Sequence, residues 1–213
     1  HQSERSNYKD ILNDLVKAPV DIIMGACEIN KTDTADGGLR NKFTILSSLD
    51  KVPATINTPL FVADNKAGLS ILNGRGDWAI NALEKSLQLL SQNKNGFLLM
   101  LEGAQVDHGG HANKLPYVVT ELLDFDRVIG KAMEFADRDG KTLIVVTADH
   151  ETGGLTLTGG DYNKGYITGQ FSTEDHTAIP VPVYSYGPQS HLFDGVYENT
   201  DIFNRILQAL KMK

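Results

Sequence analysis

The chain has 213 residues, 41% of them hydrophobic, and a formal net charge of −7, which suits one soluble domain with a sizeable core. An acidic balance without any run of Lys and Arg excludes nucleic acid and anionic membrane surfaces as specific partners. The single cysteine, Cys27, excludes a disulfide framework and a cysteine-based zinc site; no apolar stretch reaches the roughly 18 residues of a membrane span.

His1 is not an initiator methionine, and no apolar signal-peptide core follows it. The chain therefore reads as processed, trimmed or a fragment. A helix is expected over 7–17, followed by a buried strand over 20–25. Residues 26–76 are the least legible, rich in Thr, Asp, Asn and Gly at their start, with a helix expected near 39–49. Ile80, Leu83, Leu87 and Leu90 fall at steps of three and four and predict an amphipathic helix. A strand is expected over 96–101. A longer helical stripe follows at Val118, Leu122, Phe125, Ile129 and Met133, then a strand over 142–147. Residues 181–186 read as a further strand, pushed to a sheet edge by Pro180 and Pro182. Thr200 is the expected N-cap of a last helix carrying Ile202, Phe203, Ile206, Leu207 and Leu210.

Apolar strands separated by amphipathic helices imply an α/β fold, a three-layer sandwich whose mostly parallel central sheet carries helices on both faces. Such sheets bind ligands beyond the carboxyl ends of their strands. Two polar segments follow expected strands there: Glu102-Gly103-Ala104-Gln105-Val106-Asp107-His108-Gly109-Gly110-His111, and Ala148-Asp149-His150-Glu151-Thr152-Gly153-Gly154.

Asp107 and His111 are four apart, so a helical turn puts both on one face. Gly109 and Gly110 are expected to let backbone approach an ion or substrate. Asp149 and His150 end an apolar run, where burial without partners costs several kcal/mol; a divalent cation removes that cost. His176 precedes the 181–186 strand and can enter the same crevice. Singly, Glu102 and Asp107 read as surface carboxylates, Asp149-His150 as a capping loop, and His176 as an incidental loop histidine. His191 and Glu151 keep that plain reading. Jointly the carboxylates and imidazoles, with no cysteine among them, describe a catalytic rather than a structural zinc site and a metal-assisted hydrolase. Arg75-Gly76-Asp77 is a chance tripeptide opening a helix, and Thr34, in a turn over 33–38, is a weak nucleophile candidate because no clear strand precedes it.

The strings L-E-G-A-Q-V-D-H-G-G-H-A-N (101–113), V-V-T-A-D-H-E-T-G-G (145–154) and D-H-T-A-I-P-V-P-V-Y-S-Y-G-P (175–188) resemble, in order, the C-terminal half of alkaline phosphatases. The resemblance implies a phosphate-monoester hydrolase acting through a covalent phospho-Ser or phospho-Thr, with two zinc ions and one magnesium. By position it implies that Asp107, His111 and His176 hold the first zinc, Asp149 and His150 part of the second, and Glu102 the magnesium. His108 falls where the family tunes the phosphate or magnesium surroundings, and Arg5, in the opening segment, matches the phosphate-binding arginine.

The chain departs from that pattern in two respects, the lesser being a glycine cluster after the first strand thinned to Gly25-Ala26-Cys27. The family's nucleophile and further metal carboxylates lie upstream of the arginine segment and have no match here. Residues 1–213 are thus expected to be a single C-terminal portion of an alkaline-phosphatase-like domain, an incomplete domain that alone hydrolyses monoesters weakly or not at all. Self-association as a homodimer, or a companion N-terminal segment, is expected to cover its exposed sheet edge. Small phosphate monoesters are the implied substrates, and a periplasmic or secreted location is implied by the resemblance alone. The alternatives are another two-metal hydrolase of the superfamily (phosphodiesterase, sulfatase or mutase) and a non-catalytic metal-binding fragment.

Overall fold

Three short apolar segments pair in parallel: β1 (Ile22–Gly25), β2 (Thr44–Leu46) and β3 (Leu60–Ala63), in the order β1-β3-β2. The computed structural model describes residues 3–27 and 38–212, and this sheet belongs to the first of two units, residues 1–101 and 102–213. Because strand side chains alternate, β3 serves two cores. Leu60 and Val62 pack with Leu49, Val52, Ala82 and Leu89 on one side. Phe61 packs with Leu39 and Phe43 on the other, its ring edge-on to Phe43 at 5.9 Å.

Helix α1 (Tyr8–Lys17) supplies Leu12, Leu15 and Val16 to the Phe61 side, as the short α2 (Gly38–Lys42) supplies Leu39. Helix α3 (Trp78–Leu90) covers the other face with Ala82 and Leu89. The expected layering of helix, parallel sheet and helix is therefore present within this unit. Asp64, just past β3, ties its surroundings together. Its carboxylate accepts from the Leu49 N–H (3.2 Å), the Lys66 N–H (3.0 Å) and the Trp78 indole N–H (2.9 Å).

Two expectations for this unit change. The helix near 39–49 stops at Lys42, because the β-branched run that follows pairs with β3 as β2. Residues 97–101 join no ladder among the described residues, and Leu98 and Met100 stand 70% and 86% exposed. An apolar run is only strand-competent; a strand exists where a neighbour takes its N–H and C=O groups. Thr34 lies outside the described residues.

The second unit begins with α4 (Gln105–His111) and the 25-residue α5 (Leu115–Asp139). Pro116 sits in the first turn of α5, and Gly140 closes it in the left-handed conformation at φ 67°, its N–H on the Ala136 carbonyl at 2.8 Å. The most buried residues of α5 are Glu121, Asp124, Val128 and Ala136; of the expected apolar stripe Val118, Phe125, Ile129 and Met133 are half-buried and Leu122 is 55% exposed. Phe125 of the expected stripe does pack, against Gly103, where an ideal Cβ would lie 3.0 Å from its ring.

The remaining ladders of this unit are antiparallel pairs. They are β4 (Ile144–Val146) with β9 (Tyr184–Tyr186), β5 (Glu151–Thr152) with β8 (His176–Thr177), and β6 (Thr156–Asp161) with β7 (Tyr166–Gln170). Pro180 and Pro182 precede β9, which among the described residues pairs with β4 alone, as an edge strand does. Helix α6 (Asp201–Ala209) ends the unit. Thr200 precedes it but is itself helical (φ −64°, ψ −22°), and its hydroxyl makes no capping bond, so the expected cap is not formed.

Candidate metal centre

Helix α4 carries Asp107, His108 and His111, and its position is set by two adjacent glycines. An ideal Cβ on Gly109 would lie 2.9 Å from the Val118 nitrogen of α5, and one on Gly110 would lie 2.9 Å from the Thr152 carbonyl oxygen of β5. Any side chain at either position forces backbone apart. The glycines thus bring α4 against a helix and a strand, a packing reason for both.

That packing places Asp107 and His111 beside β8. The Asp107 Oδ2 lies 3.5 Å from His111 Nε2, and His111 Nε2 lies 3.3 Å from His176 Nε2. One donor atom from each of the three falls within 4.8 Å of the other two. His176 reaches this point because its strand pairs with β5, Thr152 opposite His176.

Hydrogen bonds decide which atoms remain available. His111 Nδ1 lies 2.6 Å from the Glu174 carbonyl oxygen. A carbonyl can only accept, so Nδ1 carries the proton and Nε2 presents a lone pair. Nε2 therefore faces a carboxylate oxygen and another imidazole nitrogen, an arrangement that a divalent ion, or a proton on His176 Nε2, satisfies. Tetrahedral zinc with bonds of about 2.0–2.2 Å sets its ligand atoms roughly 3.3–3.6 Å apart. The 3.3 and 3.5 Å separations match that spacing, and all three donor atoms lie within 4.8 Å of one another, so the donor set fits a divalent ion.

Asp149 and His150 adjoin the same place. His150 Nε2 is 3.3 Å from Asp149 Oδ2, and its ring stacks on His176 at 3.5 Å between centroids. Asp149 is 85% exposed, open for a further ligand, whereas His150 is 28% exposed. Glu102 is exposed on the segment leading into α4 and is not part of the three-residue cluster; His108 is exposed on α4 itself. Arg5 lies in an exposed turn before α1, in the first unit.

Two residues had no assigned role in the sequence pattern. Thr152 donates its hydroxyl to Asp107 Oδ1 and lies 3.1 Å from His150 Nδ1. Glu151 clasps the following turn: its carboxylate accepts from the Gly154 N–H (3.1 Å), the Leu155 N–H (3.2 Å) and the Thr177 hydroxyl. Its structural use agrees with the plain reading of that carboxylate. The signal for Thr152 was its place two residues after His150 in a strand pattern, which returns it to the same face of the sheet.

The alkaline phosphatase family model matches residues 79–169 and 160–212 of this chain. The chain belongs to the alkaline phosphatase family. Alkaline phosphatase H of Pseudomonas aeruginosa is 34% identical over 145 residues, covering 61% of this chain and 30% of that protein. The solved alkaline phosphatase of the Antarctic bacterium TAB5 is 34% identical with a TM-score of 0.85, covering 99% of this chain and 66% of that one. A single-residue TAB5 mutant, with Mg bound in its M3 site, gives 35% identity, a TM-score of 0.87 and coverage of 100% and 67%. The fold is thus α/β and of alkaline phosphatase type. The match spans less than a third of the first curated relatives' length, 30% and 31%. Among the described residues no helix is long and apolar enough to cross a membrane.

Proposed function

We propose that the intact protein is a metal-dependent phosphate-monoester hydrolase of alkaline phosphatase type. The observation that carries this reading is the meeting of Asp107 Oδ2, His111 Nε2 and His176 Nε2 at one point in a chain of that family. Two imidazoles and a carboxylate suit a catalytic zinc. In this reading Asp149 and His150 contribute to a second zinc, and Glu102 offers the oxygen donor that magnesium prefers. The Mg in the M3 site of the TAB5 mutant supports a magnesium in the family's site. When bound, paired dications offset the negative charge that gathers on phosphoryl oxygens during transfer.

The chain's own residues set up that chemistry. The Glu174 carbonyl and the Thr152 hydroxyl hold His111 and Asp107 in place before any substrate arrives. Arg5 binds phosphate oxygens through its planar fork of donors. His108 adds a polar group to the phosphate or magnesium surroundings. The nucleophilic Ser or Thr, which becomes phosphorylated, lies upstream of this chain, so the chain alone turns over monoesters weakly or not at all. A homodimer contact or the companion upstream segment covers the exposed apolar run at Leu98 and Met100. The protein works in the periplasm or outside the cell, in keeping with its bacterial relatives.

The test is turnover of p-nitrophenyl phosphate by the intact protein loaded with zinc and magnesium. Chelation should abolish turnover and re-addition restore it. His176→Ala should remove one tight zinc by calorimetry and lower turnover by about two orders of magnitude or more. A fully loaded protein that cleaves sulfates or diesters in preference to monoesters, or none of the three, overturns the reading.

A further inference from the structure

His176 reaches the donor set from a strand of two residues, β8, and a ladder that short has few backbone bonds to hold it. The segment leading into β8 is fixed instead by the turn that follows β5. The Gly153 carbonyl accepts from the Ser172 N–H at 3.0 Å and the Thr173 N–H at 3.2 Å. The Gly153 N–H donates to the Asp175 carbonyl at 3.0 Å. Gly153 and Gly154 sit at φ 89° and 58°, so the turn has a shape that other residues rarely adopt. Glu151 closes this turn. One carboxylate oxygen accepts from the Leu155 N–H, and the other accepts from both the Gly154 N–H and the Thr177 hydroxyl. Hydrogen bonds to an ionised acceptor are roughly twice as strong as neutral ones. One side chain thus ties the turn to β8 at the residue next to His176.

We propose that Glu151 is a positioning residue that latches the 172–177 segment through Thr177 and so sets how tightly the donor set holds its ion. The proposal rests on the metal-site reading above and adds to it a residue that is no ligand. In the β5–β8 ladder Glu151 stands opposite Thr177, and Thr152 opposite His176. Side chains alternate along a strand, so the Glu151–Thr177 bond lies on the face of the ladder away from His176. Glu151 therefore acts from behind. The latched segment also carries Glu174, whose carbonyl meets His111 Nδ1 at 2.6 Å. Two of the three donors, His176 directly and His111 through that carbonyl, depend on where the segment lies. With the latch in place the donors are set before the ion arrives; without it, binding must order the segment, and affinity falls accordingly.

The experiment compares wild type, Glu151→Gln, Thr177→Val, Thr177→Ser and the Gln–Val double variant in the intact, metal-stripped protein. Zinc affinity is read by competition with a chromophoric chelator, at the binding step that His176→Ala removes. Glu151→Gln and Thr177→Val should each bind about 10- to 100-fold more weakly, the range for loss of support behind a metal ligand. The double variant should stay within about twofold of Glu151→Gln, because both changes break one bond. Thr177→Ser keeps the hydroxyl and should stay within about twofold of wild type. A second readout needs no metal. The His176 ring stacks on His150 at 3.5 Å between centroids, which displaces its proton NMR signals. At alkaline pH, where imidazole is neutral, that displacement should persist in Thr177→Ser and vanish in Glu151→Gln and Thr177→Val. Wild-type affinity in either single variant, additive losses in the double, or an unmoved His176 signal overturns the latch. If Glu151→Gln fails to fold, the Val and Ser variants decide the matter by themselves. If wild type takes up no zinc, the metal reading fails, and the His176 signal alone decides whether the latch exists.

Discussion

The two units are held by opposite means. In the first, β3 is buried on both faces, with Leu60 2%, Phe61 6% and Val62 0% exposed, and shape and apolar area decide the structure. In the second, the strands around the donor set are two residues long, and their geometry comes from glycine-permitted contacts and side-chain hydrogen bonds to Thr152, Glu151 and the Glu174 carbonyl. Apolar burial tolerates small shifts in position; a donor set for a metal does not. The difference shows where this chain spends precision: a sheet that any well-filled pair of cores could hold, beside a site that particular atoms must hold.

The sharpest way to break the contrast is to empty the core of the first unit. Leu60→Ala removes a residue shared by both ladders of the sheet and should cost about 2–5 kcal/mol in chemical denaturation, while zinc affinity of the native intact protein stays at the wild-type value. A parallel loss of zinc would mean the two kinds of order are not separate. In the second unit, Gly110→Ala adds one carbon against the Thr152 carbonyl and should cost about 1–3 kcal/mol. Here zinc affinity should fall together with stability, because α4 cannot keep its place.

Smaller effects probe single carboxylates. Burial pushes the Asp64 carboxyl up, but donation from Trp78 and from the Lys66 and Leu49 N–H groups outweighs it and holds the group below its ordinary 3.8. A lowered native value means stabilisation present above pH 3.8 and lost as pH falls through the native value. Asp64→Asn should flatten the acid limb of the stability curve below that pH, and an unchanged limb refutes the assignment. The least effect is at Tyr186, whose hydroxyl donates to Asp137 and whose titration lies above 10.0 because that bond and the nearby charge favour the neutral phenol. Asp137→Ala should return one tyrosine to the ordinary range in an absorbance titration, with little change in stability.

Much of the order along the chain was legible before any coordinates. The periodicity at Ile80–Leu90 reports a face that does pack, whereas the stripe of the last helix buries no residue and leaves Phe203 66% exposed; Asp107 and His111 of the first polar segment meet His176 within a few ångströms. The resemblance to alkaline phosphatases rested on those same segments. What stayed hidden was hidden for physical reasons. β3 is four residues long, too short for a period to register, and its centrality comes from neighbours far along the chain. The 97–101 run looked like a strand because apolarity was all it showed, and pairing is not written in one segment. The most buried positions of α5 include Glu121 and Asp124, beside a stripe that is mostly half-buried, and no helical wheel foretells buried carboxylates. Thr152 was overlooked because a hydroxyl has meaning only beside the groups it bridges.

Helix α4 has seven positions, and most are already committed. Gln105 receives the Tyr117 hydroxyl, Asp107 and His111 meet His176, and Gly109 and Gly110 admit no side chain. Of the polar residues, His108 alone points outward with no such obligation. Directed evolution of this stretch has one open door: a library randomised over 105–111 and selected for function should return its diversity at 108, the exposed polar position of the helix.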